Sequence, residues 1–136
     1  VRRIYTLGTG RRTEEDFMEI LEAHGIECLT DVRQFPESRM PHFSRKALEP
    51  SLAKNGIEYR WLGLELGGFR KGGYEAYTQT PEFSKGMDAL EEAASGKTTA
   101  VVCAERFPWK CHRRWIAREL QRRGWQVVHI IDKDKL

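Results

Sequence analysis

Two hydrophobic periods alternate along this chain. Arg3, Ile4, Tyr5, Thr6 and Leu7 read as a short strand that stops at Gly8-Thr9-Gly10. Phe17, Ile20, Leu21 and His24 then recur at i, i+3, i+4 and i+7, the spacing of one helix face. Thr13 is a good N-cap for that helix, Asp16 at N3 can bond back to it, and Gly25 stops it at C′. Residues 26–32 are an apolar-rich run of the kind found in buried parallel strands. After a proline-marked polar stretch, Ser44 can cap a second helix. Pro50 falls inside that helical pattern and removes a backbone hydrogen bond, so a turn at 45–48 and a helix restarting at Pro50 are expected. A third strand is expected at 57–62.

Residues 63–80 predict a long glycine-rich loop with Gly67-Gly68, Gly72-Gly73, Phe69, Arg70, Lys71, Tyr74 and Tyr77. Loops of that length in compact domains are usually functional or mobile. Thr80-Pro81 opens a third helix with Phe83, Met87, Leu90 and Ala94 on one face. A strand at 98–103, a loop at 106–110, a helix at 111–123 and a strand at 125–131 follow, and the tail is charged. Strands alternating with helices predict a single α/β domain over residues 1–136. Its expected form is three layers, a five-stranded mainly parallel sheet with helices on both faces, Rossmann-like or rhodanese-like.

Ligands of such sheets bind beyond the carboxyl ends of the strands, where helix N-termini present free N–H groups. The segments falling there are chemically rich. They hold Thr9, Arg11 and Arg12 after strand one, and Asp31, Arg33, His42 and Ser44 after strand two. Strand three leads into the Gly/Tyr/Arg loop, and strand four into Cys103, Glu105, Cys111, His112 and Arg113. The opposite edge carries little beyond Gly25, Asn55-Gly56, Ser95-Gly96 and Gly124. This asymmetry predicts one functional edge.

Composition adds limits. The 136 residues are 40% apolar and 32% charged, which suits one globular core. A net charge of +3 permits an anionic ligand without demanding a nucleic acid. The basic residues concentrate in 2–12, 33–46 and 106–123. No run is long and apolar enough to span a membrane. Three cysteines without a CxxC pair argue for a reducing, cytoplasmic compartment and against a disulfide framework.

Several short motifs recur in a fixed order. They are Thr6-Leu7-Gly8-Thr9, then Asp31-Val32-Arg33 followed by Phe35-Pro36, then Phe43-Ser44 and Leu66-Gly67-Gly68. Tyr77, Thr80-Pro81-Glu82-Phe83, Cys103-Ala104-Glu105 and Cys111-His112-Arg113 complete the series. Together they resemble the family catalogued as domain of unknown function 488. The resemblance implies a small α/β protein of bacteria and archaea and brings no mechanism. Two positions depart from it. Thr9-Gly10-Arg11 stands where the family has a histidine and a serine or asparagine, and Pro50 is atypical.

The candidate chemistry is Cys103, Glu105, His112 and Asp31 as catalytic groups, with Thr9, Arg33, Cys111, Arg113 and Tyr77 as ligand contacts. Cys103 ends a buried strand ahead of a loop and helix, as the nucleophile of rhodaneses and cysteine phosphatases does. Those enzymes have a glycine-rich cradle and an arginine six residues on; here the loop has no glycine, Pro108 lacks an N–H, and Trp109 holds that position. A sequestered core cysteine is the alternative. Cys111-His112-Arg113 at a helix start suits a phosphate or carboxylate. In the alternative, His112 caps the loop and Arg113 pairs with Glu105. Asp31 is either a general base or half of an ion pair with Arg33. Tyr74, Tyr77, Phe69 and Trp109 among Arg70, Lys71 and Lys110 can stack on bases or simply anchor their loop.

The expected function is binding of an anionic small molecule, a nucleotide or related phosphate-bearing ligand, with Cys/His/carboxylate chemistry on it. Alternatives are a nucleic-acid-binding module and a metal-binding or redox-sensing protein. No cofactor, resident metal or membrane partner is expected, and the sequence leaves the oligomeric state open.

Overall fold

The computed structural model describes residues 2–38 and 40–131; the expected charged tail lies outside the described residues. The strands are β1 (Arg3–Gly8), β2 (Cys28–Asp31), β3 (Glu58–Trp61), β4 (Thr99–Cys103) and β5 (Gln126–Ile130). The helices are α1 (Glu14–Ala23), α2 (Arg45–Lys54), α3 (Gly63–Leu66), α4 (Tyr74–Tyr77), α5 (Pro81–Ala94) and α6 (Arg113–Arg122). Every ladder is parallel, and the strand order is β3-β2-β4-β1-β5. The α/β expectation holds, with a sheet that is wholly rather than mainly parallel.

β4 occupies the centre, and all five of its residues are buried. Its side chains alternate between two cores. Val101 and Cys103 pack with Phe83, Met87 and Leu90 of α5 and with Ile116 and Leu120 of α6. Ala100 and Val102 pack with Phe17 and Leu21 of α1 and with Leu48 and Leu52 of α2. This alternation turns Cys103 toward α6 and away from α1. Local signals fix the helix ends. The Asp16 N–H donates to Thr13 Oγ1 at 3.0 Å, the Phe83 N–H donates to Thr80 Oγ1 at 3.2 Å, and Gly25 takes φ +65° after α1.

Three local expectations are corrected. α2 runs without a break through Pro50. The bond that Pro50 forgoes would reach the Lys46 carbonyl, and both residues lie on the exposed face, where water can serve that oxygen. Buried Leu48 and Leu52 keep the helix docked. Ser44 stands at its N-cap but donates its hydroxyl to the Pro41 carbonyl instead of capping. The 63–80 segment is also not one loop, because α3 and α4 are single helical turns within it. So short a helix has no cooperativity of its own. Tertiary contact replaces it: Leu66 is fully buried and Tyr74 donates its hydroxyl to the Leu66 carbonyl at 2.9 Å. No helix among the described residues is long and apolar enough to cross a membrane.

Candidate functional site

The carboxyl ends of β1, β2 and β4 finish level with one another, Gly8 opposite Cys103 and Asp31 opposite Val102. Pairing continues past the strands. The Thr9 N–H donates to the Cys103 carbonyl at 2.8 Å and the Gly10 N–H to the Ala104 carbonyl at 2.9 Å. The segment after β4 lies directly on the end of β1. A Cβ at Gly8 would stand 1.8 Å from the Glu105 carbonyl oxygen, so only glycine admits this crossing. A 3₁₀ turn at Pro108–Lys110 then brings the chain back to α6.

This return sets two cysteines side by side. Cys103 Sγ lies 2.8 Å from Cys111 Sγ, and both thiols are free. Cys111 Sγ also accepts the Arg113 N–H at 3.3 Å, taking the place of a side-chain cap at the start of α6. The hydrogen bond from Cys103 holds the Cys111 thiol down at about 7, with the Arg113 charge and amide adding to it against the cost of burial. The same hydrogen bond, and burial, push Cys103 well above the usual thiol range. The two shifts run in opposite directions and favour a Cys103 thiol donating to Cys111, the sulfur on the side open to the cleft: Cys111 is half-buried and Cys103 buried.

Arg113 lies beneath this pair with no exposure at all. Its Nη2 donates to the Glu105 and Arg106 carbonyls at 3.1 and 3.0 Å, while Nε and Nη1 have no partner. The expected pairing with the Glu105 carboxylate is replaced by one with the main chain, and Glu105 itself is exposed. Among the described residues no carboxylate comes within ion-pair distance of this guanidinium. The charge of this guanidinium acts on Cys111, whose pKa it lowers.

His112 donates Nε2–H to the Val32 carbonyl at 3.0 Å. A carbonyl can only accept, so Nε2 carries the hydrogen and Nδ1 of the neutral ring is an acceptor. Burial, aided by the Arg113 and Arg70 charges, lowers the ring's pKa and keeps it neutral at neutral pH. Nδ1 faces Gly68, where a Cβ would stand 2.7 Å away.

Asp31 and Arg33 serve each other. Arg33 Nε and Nη2 donate to the two Asp31 oxygens at 2.9 and 2.8 Å, the Arg33 N–H adds 3.0 Å, and the Tyr59 hydroxyl donates at 2.6 Å. Arg33 Nη1 is taken by the Phe43 carbonyl at 2.7 Å. The geometry matches the ion-pair alternative more closely than a general base beside an anion receptor. Thr9 is buried in the β1–β4 junction. Tyr77 donates to the Glu65 carbonyl at 2.5 Å beneath Arg70, whose guanidinium carbon stands 3.9 Å from the ring centre. It is anchored away from the cleft, and Tyr74, one helical turn earlier, borders it instead.

Cys103, Glu105, Cys111, His112 and Arg33 border one cleft of 790 Å³, whereas Asp31, Thr9, Tyr77 and Arg113 lie outside its lining. Its rim is aromatic. Phe35, Phe69 and Trp109 are 66%, 74% and 61% exposed, and the rings of Phe35 and Phe69 stand 5.8 Å apart. Residues bearing both charges reach it, with Glu37, Glu75 and Arg114 beside Glu105. The other concavities described have no cysteine or histidine in their linings. Phe35 and Gly68 were not among the expected site residues, although both stand in the ordered motifs, which was the available signal. No group of three metal-ligating side chains occurs among the described residues. A tetrahedral zinc ion would hold two sulfurs about 3.8 Å apart, wider than this pair.

The sequence profile of a family described as Domain of unknown function DUF488 matches residues 13–120, well over half of the chain. No curated protein matches.

Proposed function

The chain belongs to the DUF488 family, whose description names no reaction, and from the cleft itself we propose one: a small ligand binds over the start of α6, and Cys111 attacks it as a thiolate. The observation that supports this best is the double support of one sulfur. Cys111 Sγ accepts the Arg113 N–H while Cys103 Sγ stands 2.8 Å away. Helix amides, a buried cation and a thiol donor together favour the charged form. His112 and Glu105 line the same cleft.

A phosphate-bearing ligand, nucleotide or related, finds support in Arg114 and in the flat surfaces of Phe35, Phe69 and Trp109. Arg33 and Arg113 add less than their sequence positions suggest, since both are engaged inside the protein.

Alkylation by iodoacetamide across pH, mapped by peptide mass, tests the reading. Cys111 should react with a midpoint near 7 while Cys28 and Cys103 lag. A Cys111 midpoint at the ordinary thiol value of about 8.5 or higher would overturn it. Slowing of the reaction by nucleoside phosphates would assign the ligand class, and no slowing by any of them would remove that class.

A further inference from the structure

The geometry points to a redox-active dithiol: Cys111 attacks low-molecular-weight disulfides that enter the cleft, and Cys103 resolves the mixed disulfide. This rests on the reading of Cys111 as the thiolate of the cleft and names its substrate.

Three observations carry it. The sulfurs stand 2.8 Å apart, so an approach of about 0.8 Å reaches a covalent bond. The two residues are held differently. Cys103 ends the central strand and is 1% exposed, while Cys111 follows a 3₁₀ turn and is half-buried at the cleft. An entering molecule meets Cys111 first, and Cys103 waits behind it. Finally, the charges at the cleft have both signs, Glu37, Glu75 and Glu105 with Arg114. That set suits a substrate carrying ammonium and carboxylate groups on each half, the amino-acid-like disulfides.

The steps balance. The Cys111 thiolate attacks one sulfur of R–S–S–R′, forming Cys111–S–S–R and expelling R′S⁻. That thiolate takes the proton of Cys103. The resulting Cys103 thiolate attacks Cys111 Sγ, forming the Cys103–Cys111 bond and expelling RS⁻, which is protonated from solvent. Two cysteines are oxidised by two electrons, and one disulfide is reduced to two thiols. A low-molecular-weight thiol reverses the sequence and restores the dithiol. An attacking thiol with a pKa near the ambient pH is the fastest for such exchange. Cys28 sits at the start of β2, at the opposite edge of the sheet, and is an internal control.

The test adds glutathione disulfide to the reduced full chain at neutral pH, with acid quenching, intact mass and peptide mapping. Wild type should lose two hydrogens, show a Cys103–Cys111 crosslink and release two thiols per chain. Cys103→Ser, with Cys103→Ala as a second variant should the first fail to fold, should stop at a stable glutathione adduct on Cys111. Cys111→Ser should react about tenfold more slowly or less. Wild type ending as the adduct overturns the resolving role. No modification of Cys111 by the disulfide, with iodoacetamide still reacting near neutral pH, overturns the substrate class and leaves the thiolate reading standing. Loss of the neutral alkylation itself removes both.

Discussion

Replacing Cys103 by alanine isolates the contact that governs Cys111. The hydrogen bond from Cys103 is the largest influence holding the Cys111 thiol down. A hydrogen bond to a charged acceptor contributes about 1.5–3 kcal/mol. At 1.36 kcal/mol per pH unit, its loss moves the Cys111 midpoint up by about 1–2 units, from about 7 to between about 8 and 9. At pH 7 the thiolate fraction falls from about half to between about a tenth and a hundredth. The more basic thiolate is also the better nucleophile, by about three- to eightfold for a Brønsted slope of 0.4–0.5. The two effects oppose each other. Cys103→Ala should therefore alkylate about two- to sixfold more slowly than wild type at pH 7, and about three- to eightfold faster above pH 10, where both are ionised. The curves must cross. Cys103→Ser keeps a hydroxyl donor and should retain a midpoint close to wild type. Stopped-time alkylation with peptide mass readout from pH 5 to 11 measures all three. Superimposable profiles for wild type and Cys103→Ala would mean that Cys103 does not govern the midpoint and would leave its low value to Arg113 and the α6 amides.

Two further outcomes follow from the same geometry. Asp31→Asn breaks a fully buried pair with Arg33 and should cost about 3–5 kcal/mol in denaturant unfolding, with the Cys111 midpoint unchanged; unchanged stability with lost chemistry would make Asp31 a reacting group after all. Gly68→Ala places a Cβ 2.7 Å from His112 Nδ1 and should cost about 1–3 kcal/mol while displacing the ring, seen as changed His112 nitrogen shifts by NMR; unmoved shifts would place Nδ1 elsewhere.

Much of the scaffold was legible in the sequence. Thr13, Gly25 and Thr80 mark helix ends by mechanisms that need only neighbouring residues, and the apolar run ending at Cys103 announces a central strand. The place of the candidate cleft, beyond the carboxyl ends of the strands, was legible because it follows from strand direction. What escaped depends on contacts between distant segments. Periodicity cannot register α3 and α4, which hold because Leu66 is buried and Tyr74 reaches its carbonyl. It cannot say that Tyr74 rather than Tyr77 turns to the cleft. The inward turn of Arg113 and the closing of Arg33 Nη1 on the Phe43 carbonyl use main-chain acceptors, which leave no trace in residue identity. The approach of Cys103 to Cys111 needs the 3₁₀ turn at Pro108–Lys110, and the spacing of those cysteines alone does not reveal it.

The strand order also dictates when the protein can assemble. β1 pairs only with β4 and β5, both more than ninety residues later in the chain. On an emerging polypeptide, β2 and β3 can associate early, but β1 has no partner until β4 slides in between it and β2. Both of its hydrogen-bonding edges stay unpaired throughout that interval. Pairings of such sequence separation fold slowly and leave apolar strands open to other chains. The first of these five strands to be synthesised is thus among the last to be protected, and the pairing of Gly8 with Cys103 completes with it.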